Sequence, residues 1–154
     1  MRRKEKVSLL KQANVQEKEL CKLMQSFPRS KMTQQLNIGE IWLADLSSKN
    51  GTEPGKLRPV LILQNQILLD ILHPSTIIIP LTTNLIDEAE PLRLRIKANL
   101  QLEKDSDLLI DQIRSIDNKR LKKGPLTKCS SEFMKTVYKA ILEVLGYGVK
   151  DSDN

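Results

Sequence analysis

Short apolar stretches separated by turn-forming residues run through the middle of this chain, and they limit the folds open to it. The segment "EIWLADL" begins at residue 40 and alternates, with Ile41 and Leu43 on one side and Trp42 and Ala44 on the other. Strict alternation over this length is typical of a β-strand that presents one side to a core. We therefore predict a first strand here.

Four further segments have the composition of strands. They are "RPVLILQ", "STIIIPL", "LRLRI" and "SDLLIDQIRSI", which begin at residues 58, 75, 92 and 106. The connection between the first two strands, "SSKNGTEPGKL", is rich in turn-forming residues. Five short strands without an intervening helix predict an antiparallel sheet that curls into a small barrel.

The pattern changes to helical spacing near the C-terminus. Ser130 or Ser131 can cap a helix, Glu132 suits its first turn, and Gly146 is placed to end it. We predict that one apolar stripe of this helix packs on the sheet. The stripe consists of Phe133, Val137, Ile141, Val144 and Leu145.

Positive charge is concentrated at the N-terminus. The chain has 25 Lys and Arg against 19 Asp and Glu, for a net charge of +6. Residues 1–31 hold nine of the basic residues and three Glu, which is +6, so the remaining sixteen basic and sixteen acidic residues cancel. Residues 32–154 must therefore bind any polyanion through local clusters. One such cluster is Lys119, Arg120, Lys122, Lys123 and Lys128.

The same boundary divides the chain into regions. Apolar residues at helical spacing before Pro28 predict a short amphipathic helix, and the strand pattern begins near Ile38. We predict a basic N-terminal extension, partly helical or disordered, over residues 1–36. A β domain follows over residues 37–147, and residues 148–154 form a polar tail. The residues of the N-terminal stripe are Leu20, Leu23, Met24 and Phe27.

Apolar runs and cysteines bear on the compartment. The longest apolar runs are interrupted by Asp70 or Pro80, far short of the roughly 20 residues that a membrane span requires. Cys21 and Cys129 are too few and too distant in sequence for a zinc pattern or a disulfide framework. We expect a cytoplasmic protein with reduced thiols and no membrane contact.

Four collinear segments resemble one known family. "GEIWLADL", "GTEPGKLRPVLILQN", "IIIPLTTN" and "DLLIDQIRSIDNKRL" are closely similar, in order and spacing, to the MazF/PemK toxin endoribonucleases of type II toxin–antitoxin systems. The resemblance covers about residues 37–145. It implies an SH3-like barrel with a C-terminal helix, as in the MazF and CcdB toxins. It further implies a homodimer, cleavage of single-stranded RNA without a metal or other cofactor, and inhibition by a cognate MazE-like antitoxin.

The resemblance implies catalytic roles for Arg58 and Thr82, and Glu53, in the loop near Arg58, is the third candidate. RNA can be cut without a metal when its 2′-hydroxyl attacks the adjacent phosphorus, and Arg58 could stabilise the resulting phosphorane with its planar fork. Thr82 could donate to the phosphate, and Glu53 could orient Arg58 or accept the 2′-hydroxyl proton. Each residue also has an ordinary explanation. Arg58 and Glu53 could form a surface salt bridge or be solvated charges, and Thr82 could be a strand-end threonine.

Four other residues are assigned to RNA binding: Asn65, Gln112, Arg114 and Lys56. Amides can read base edges, and arginine can hold phosphate or stack on a base. Asn65 could equally be a turn residue, and Gln112 a hydrogen-bonding residue at the barrel rim.

Three more residues are given structural or minor roles. Asp111 matches an acid of the PemK branch, but Leu109 stands where that branch has an arginine, so Asp111 is interpreted as structural or RNA-facing. His73 is the only histidine; it precedes Pro74 in a polar loop and is not expected to be catalytic. Trp42 is expected to form a core or dimer contact.

The same barrel and dimer occur in toxins with another activity. CcdB-type toxins bind DNA gyrase without cutting RNA, because fold does not determine function. The Arg58-Pro59 junction together with Thr82 favours a ribonuclease. A gyrase-binding toxin and a catalytically inactive relative that binds RNA or antitoxin remain the alternatives.

Overall fold

The structure, a computed structural model, describes residues 35–47 and 57–148 together with Lys18, Glu19 and Lys22. The predicted N-terminal stripe, Glu53 and Lys56 lie outside the described residues. The strands are β1 Glu40–Asp45, β2 Leu57–Ile62, β3 Ser75–Thr82, β4 Arg93–Ile96, β5 Ser106–Leu109, β6 Arg114–Asp117 and β7 Leu121–Lys128. The α-helices are α1 Gln66–Asp70 and α2 Ser131–Val144, and 3-10 helices span Ile110–Gln112 and Asn118–Arg120.

All seven strands belong to one antiparallel sheet. Its order is β4-β5-β3-β2-β1-β7, and β6 pairs with the first half of β3. The mainly β class with a C-terminal helix is confirmed. Among the described strands the path ends at β4 and at β7, so the expected barrel is open. No helix in the part of the chain that the structure describes is long and apolar enough to cross a membrane.

Apolar side chains are buried on both faces of the sheet. The helix-side core lies between the sheet and α2 and includes Ile41, Leu61 and Val137. The far-side core lies on the opposite face, where Trp42 and Val60 are members. The alternation predicted for β1 is therefore confirmed, and its two sides contribute to two different cores.

The C-terminal helix matches its predicted boundaries. Ser130 is the N-cap, and its Oγ accepts a hydrogen bond of 3.2 Å from the Phe133 amide. The stripe differs from the prediction at its end, because Leu145 lies past the last helical turn and is 70% exposed. Met134 and Ala140 are instead buried against the sheet.

Three elements differ from the prediction. The fifth predicted strand is two strands, because Leu109 pairs with Arg93 on β4 whereas Arg114 pairs with Ile78 on β3. Because β5 also pairs with the last residues of β3, the 3-10 helix carries the chain from one half of β3 to the other. A short helix, α1, also separates β2 from β3, contrary to the prediction that no helix interrupts the strands.

The third difference is β7, which was interpreted only as a basic cluster. Its sequence, "LKKGPLTK", contains Gly124 and Pro125, which weaken a strand pattern. β7 nevertheless pairs with β1, with register shifts near Leu43. A Cβ at Gly124 would lie 2.4 Å from Cδ2 of Trp42, so glycine is what lets the backbone pass over the indole.

Candidate active site

Arg58 and Thr82 lie on neighbouring strands at one end of the far-side face. β2 and β3 pair Val60 with Pro80, and the same register continued by two residues sets Arg58 opposite Thr82. Arg58 also pairs with Ala44, a member of the far-side core, so its side chain starts on that face. Residues directly opposite in antiparallel strands have Cβ atoms about 5 Å apart. The register therefore brings a guanidinium and a hydroxyl together, and both residues are partly exposed.

The Thr82 hydroxyl is held by the chain that follows it. The Asn84 amide donates a hydrogen bond of 3.2 Å to Thr82 Oγ1. A hydroxyl that accepts one hydrogen bond can still donate its own hydrogen. The contact with Asn84 thus leaves Thr82 able to donate to an anionic ligand.

The guanidinium of Arg58 has no carboxylate within ion-pairing distance among residues 35–47 and 57–148. The ion pairs there join Arg95 to Asp87 and Asp107, and Lys97 to Asp105. An ion pair with Glu53 would involve a residue outside those ranges. The catalytic and salt-bridge interpretations of Arg58 both stay predictions.

Arg114, on β6, and Gln112, just before that strand, lie beside β3. Arg114 pairs with Ile78, a far-side residue, so its exposed side chain starts on the same face as Thr82. Ile78 and Thr82 are four positions apart on β3, which corresponds to about 13 Å of strand. Gln112 is exposed at the end of the 3-10 helix that precedes β6.

Asn65 has a structural role as the N-cap of α1. Its Oδ1 accepts a hydrogen bond of 2.9 Å from the Ile67 amide, as the turn interpretation predicts. Its side-chain NH2 is the remaining group that could donate to RNA. Asn65 follows the end of β2, at the opposite end of that strand from Arg58. The described site residues therefore form two groups: Arg58 with Thr82 at one end of the face, and Asn65 with Arg114 towards the other, while Gln112 ends the 3-10 helix between β5 and β6.

The basic cluster adjoins the Arg58 end. Ala44 pairs with Arg58 on one side and with Leu121 of β7 on the other, so β7 lies two strands from Arg58, roughly 10 Å away. The pKa of Asp45, on β1 beside β7, is lowered chiefly by hydrogen bonds from Ser47, and the positive charges of Lys122 and Arg120 act in the same direction. Arg120 and Lys122, which flank Leu121, therefore bring positive charge near the Arg58 end. Lys123 instead pairs with Leu43 of the helix-side face, and Lys128 pairs with Glu40 at the other end of β1.

Four residues of β4, β5 and the loop between β3 and β4 form a network that the sequence analysis missed. Asp107 is 1% exposed, and its Oδ1 accepts a hydrogen bond of 2.9 Å from Arg95 Nε. That bond is the main reason why the pKa of Asp107 is lowered. Its Oδ2 accepts a hydrogen bond of 2.9 Å from the Ile86 amide, and Arg95 also pairs with Asp87. The one sequence signal was a charged residue within the apolar run "SDLLI".

The structure also locates the residues given minor roles. His73 Nδ1 lies 2.8 Å from the Ser75 carbonyl oxygen, so the ring contacts its own loop. Trp42 is 1% exposed and donates from Nε1 to Glu40 Oε2 at 2.9 Å, which confirms a core position. Asp111 is exposed on the 3-10 helix.

A cavity of about 670 Å³ opens on the other face of the sheet. Leu43, which lines the cavity, packs against the helix-side core. Pro59, which also lines it, lies two positions before Leu61 of that core and so shares its face. The cavity is therefore not part of the surface on which Arg58 and Thr82 start. Its other lining residues include Thr83, Lys104, Ser106 and Lys123.

Comparison with known proteins agrees with the fold and the motifs. Residues 37–145 match the family described as PemK-like, MazF-like toxin of type II toxin-antitoxin system. The endoribonuclease MazF of Staphylococcus saprophyticus is 41% identical over 110 residues, which cover 70% of this chain and 89% of that protein.

Solved structures show the same fold at lower identity. The toxin MazF-mt6 of Mycobacterium tuberculosis is 21% identical with a TM-score of 0.58, covering 70% of this chain and 97% of its own. A MazE-MazF structure from Deinococcus radiodurans is 18% identical with a TM-score of 0.60, covering 75% of this chain and 100% of its own. On the family match and the staphylococcal relative, this chain belongs to the PemK-like and MazF-like toxins of type II toxin–antitoxin systems.

Proposed function

We propose that this member of the MazF endoribonuclease family cuts single-stranded RNA at selected sequences, without a metal, by attack of a 2′-hydroxyl on the adjacent phosphorus. The observation that carries the proposal is the β2–β3 register, which sets Arg58 opposite Thr82 when continued. A guanidinium and a hydroxyl donor at one partly exposed end of this face suit a phosphate group. The 41% identical relative is named as an endoribonuclease, which supports the same reaction class.

The reaction needs few groups from the protein. The 2′-oxygen bonds to phosphorus, the bond from phosphorus to the 5′-oxygen breaks, and a proton passes from the 2′-hydroxyl to a base while the 5′-oxygen gains one. The products are a 2′,3′-cyclic phosphate and a 5′-hydroxyl. In this mechanism Arg58 grips two oxygens of the dianionic phosphorane, and Thr82 donates to the phosphate. Glu53 orients Arg58 or accepts the 2′-hydroxyl proton.

Asn65, Gln112 and Arg114 would hold the part of the RNA that extends from the cut along this face. Gln112 and Asn65 can donate amide hydrogens to unpaired base edges, and Arg114 can hold a phosphate or stack on a base. Lys56, two residues before Arg58 in the sequence, is assigned to RNA binding. Arg120 and Lys122 add positive charge near the Arg58 end of the face.

We also propose that the protein acts as a homodimer in the cytoplasm and is inhibited by a MazE-like antitoxin. The Deinococcus radiodurans structure with this fold is titled as a MazE-MazF structure, which supports such a partner. An extended antitoxin segment with acidic side chains would match the cationic edge around Arg58.

Mapping the cuts tests this function. Purified protein is incubated with a long RNA in the presence of a chelator, and the termini of the fragments are identified. We expect discrete cuts with 2′,3′-cyclic phosphate and 5′-hydroxyl ends, at an unchanged rate when Mg²⁺ replaces the chelator. Cutting only with Mg²⁺ would contradict the mechanism. No cutting of any RNA would favour a gyrase-binding or inactive toxin, and a gyrase-binding assay would then separate those two.

A further inference from the structure

The loop that follows Thr82 is held by side chains from β4 and β5. The Asn84 amide donates to Thr82 Oγ1 at 3.2 Å, and the Asn84 carbonyl accepts a hydrogen bond of 3.0 Å from Arg93 Nη1. Two residues later, the Ile86 amide donates to Asp107 Oδ2 at 2.9 Å. Both sides of Asn84 are therefore tied to the sheet, and Asn84 is the residue that contacts the Thr82 hydroxyl.

Asp107 is suited to hold this loop rigidly. It pairs directly with Thr82 in the β3–β5 register, and its side chain is almost fully buried. Both carboxylate oxygens have partners, because Oδ1 accepts from Arg95 and Oδ2 from Ile86. An ionised carboxylate in the interior stays with its partners, since leaving it unpaired there is costly.

We propose that Asp107, assisted by Arg93, is a positioning residue for RNA cleavage. By fixing Ile86 and Asn84, the two residues keep the Asn84 amide against Thr82 Oγ1, so that the Thr82 hydroxyl holds one rotamer and donates its hydrogen towards the RNA phosphate. The inference rests on the proposed function, in which Thr82 contacts that phosphate. Neither Asp107 nor Arg93 needs to touch RNA.

A double-mutant cycle tests the inference. Single-turnover cleavage of a short RNA with one mapped site is measured for wild type, Asp107→Asn, Thr82→Val and the double variant. We expect Asp107→Asn to lower the rate at saturating RNA roughly tenfold, since misplacing a group by about 1 Å costs up to 10²-fold, and to leave RNA affinity unchanged. In the Thr82→Val background, Asp107→Asn should cause no further loss, because the hydroxyl that it positions is absent.

Asp105→Asn is the matched control. Asp105 also accepts from one cation and one backbone amide, Lys97 Nζ at 2.8 Å and the Ala98 amide at 2.7 Å, but it has no contact with the loop after Thr82 among the described residues. The Asp105→Asn variant should cleave RNA at the wild-type rate. Circular dichroism and thermal unfolding confirm that each variant is folded at the assay temperature.

The outcomes separate the inference from the function on which it rests. Equal rate losses from Asp107→Asn in both backgrounds would overturn the positioning role and leave Thr82 catalytic. A wild-type rate for Thr82→Val would overturn the role of Thr82 itself. If Asp107→Asn does not fold, Arg93→Gln takes its place in the cycle, since it removes the contact with the Asn84 carbonyl without leaving a buried charge. Arg93→Gln should likewise lower the cleavage rate of the wild type and should cause no further loss of rate in the Thr82→Val background.

Discussion

At the scale of single residues, the site combines groups with two different tasks. Arg58 and Thr82 meet through the register of β2 and β3, whereas Arg114 starts on the same face about four residues farther along β3. A group that stabilises charge developing in the transition state affects the cleavage step, and a group that holds RNA equally before and during the reaction affects affinity. We expect Arg58 to affect the cleavage step and Arg114 to affect RNA affinity.

Arg58→Ala should reduce the single-turnover rate by roughly 10²-fold or more, the range for removing a preorganised electrostatic group, while RNA affinity changes much less. Arg58→Lys should fail largely as well, because an ammonium lacks the bidentate fork. Arg114→Ala is the contrasting variant, expected to weaken RNA binding and to keep its rate at saturating RNA. The prediction is wrong if Arg58→Ala cuts at nearly the wild-type rate or if its whole defect lies in affinity.

At the scale of elements, β7 supports the site from the edge of the sheet. It pairs with β1, which in turn pairs with the strand that carries Arg58. Its close approach to β1 depends on Gly124, since a side chain at this position would collide with the indole of Trp42. Trp42 is itself fixed by its hydrogen bond to Glu40, so it has little freedom to move aside.

Gly124→Ala should therefore destabilise the fold by roughly 1–3 kcal/mol, the usual cost of overpacking a well-packed core. Urea unfolding followed by Trp42 fluorescence measures the change in the free energy of unfolding. Lys128→Ala serves as the control, because Lys128 is an exposed residue of the same strand. Equal stability of Gly124→Ala and wild type would show that β7 does not pack over Trp42 as described.

At the scale of the whole molecule, the net positive charge lies in residues 1–31, outside the region that matches the family. The matched region contains Arg58, Thr82 and every residue of the two buried cores except Leu36. Charges distant from the reacting phosphate raise affinity for any polyanion through counterion release, without changing the chemical step. The N-terminal segment is therefore expected to be dispensable for cleavage.

A chain that begins at Met32 should fold and should cut RNA at low salt within severalfold of the full chain. Its RNA affinity should depend less steeply on salt, because it lacks nine basic side chains. Cleavage rate and affinity are measured for both chains between low and physiological salt. A truncated protein that folds but does not cut RNA would contradict this prediction and would indicate a catalytic or dimerisation role for residues 1–31.

Local sequence patterns determined most of the elements. Alternation predicted β1 and correctly placed Ile41 and Trp42 on opposite faces of the sheet. The serine cap with Glu132 predicted the start of α2, and Gly146 predicted its end. These signals are local, because side-chain period and capping depend on residues a few positions apart. The family motifs likewise identified Arg58 and Thr82 as a pair, although their catalytic roles stay predictions.

Tertiary structure alone decided which strands pair and therefore which residues meet. Nothing local in "SDLLIDQIRSI" shows that its first half lies between β4 and the end of β3 and that its second half pairs with the start of β3. The lysines, Gly124 and Pro125 hid β7, and packing against Trp42 explains the glycine. The contact of Asp107 with Ile86 and Arg95 joins residues 21 and 12 positions apart. Such contacts depend on register, which is set by the burial of whole faces and not by the residues of any one segment.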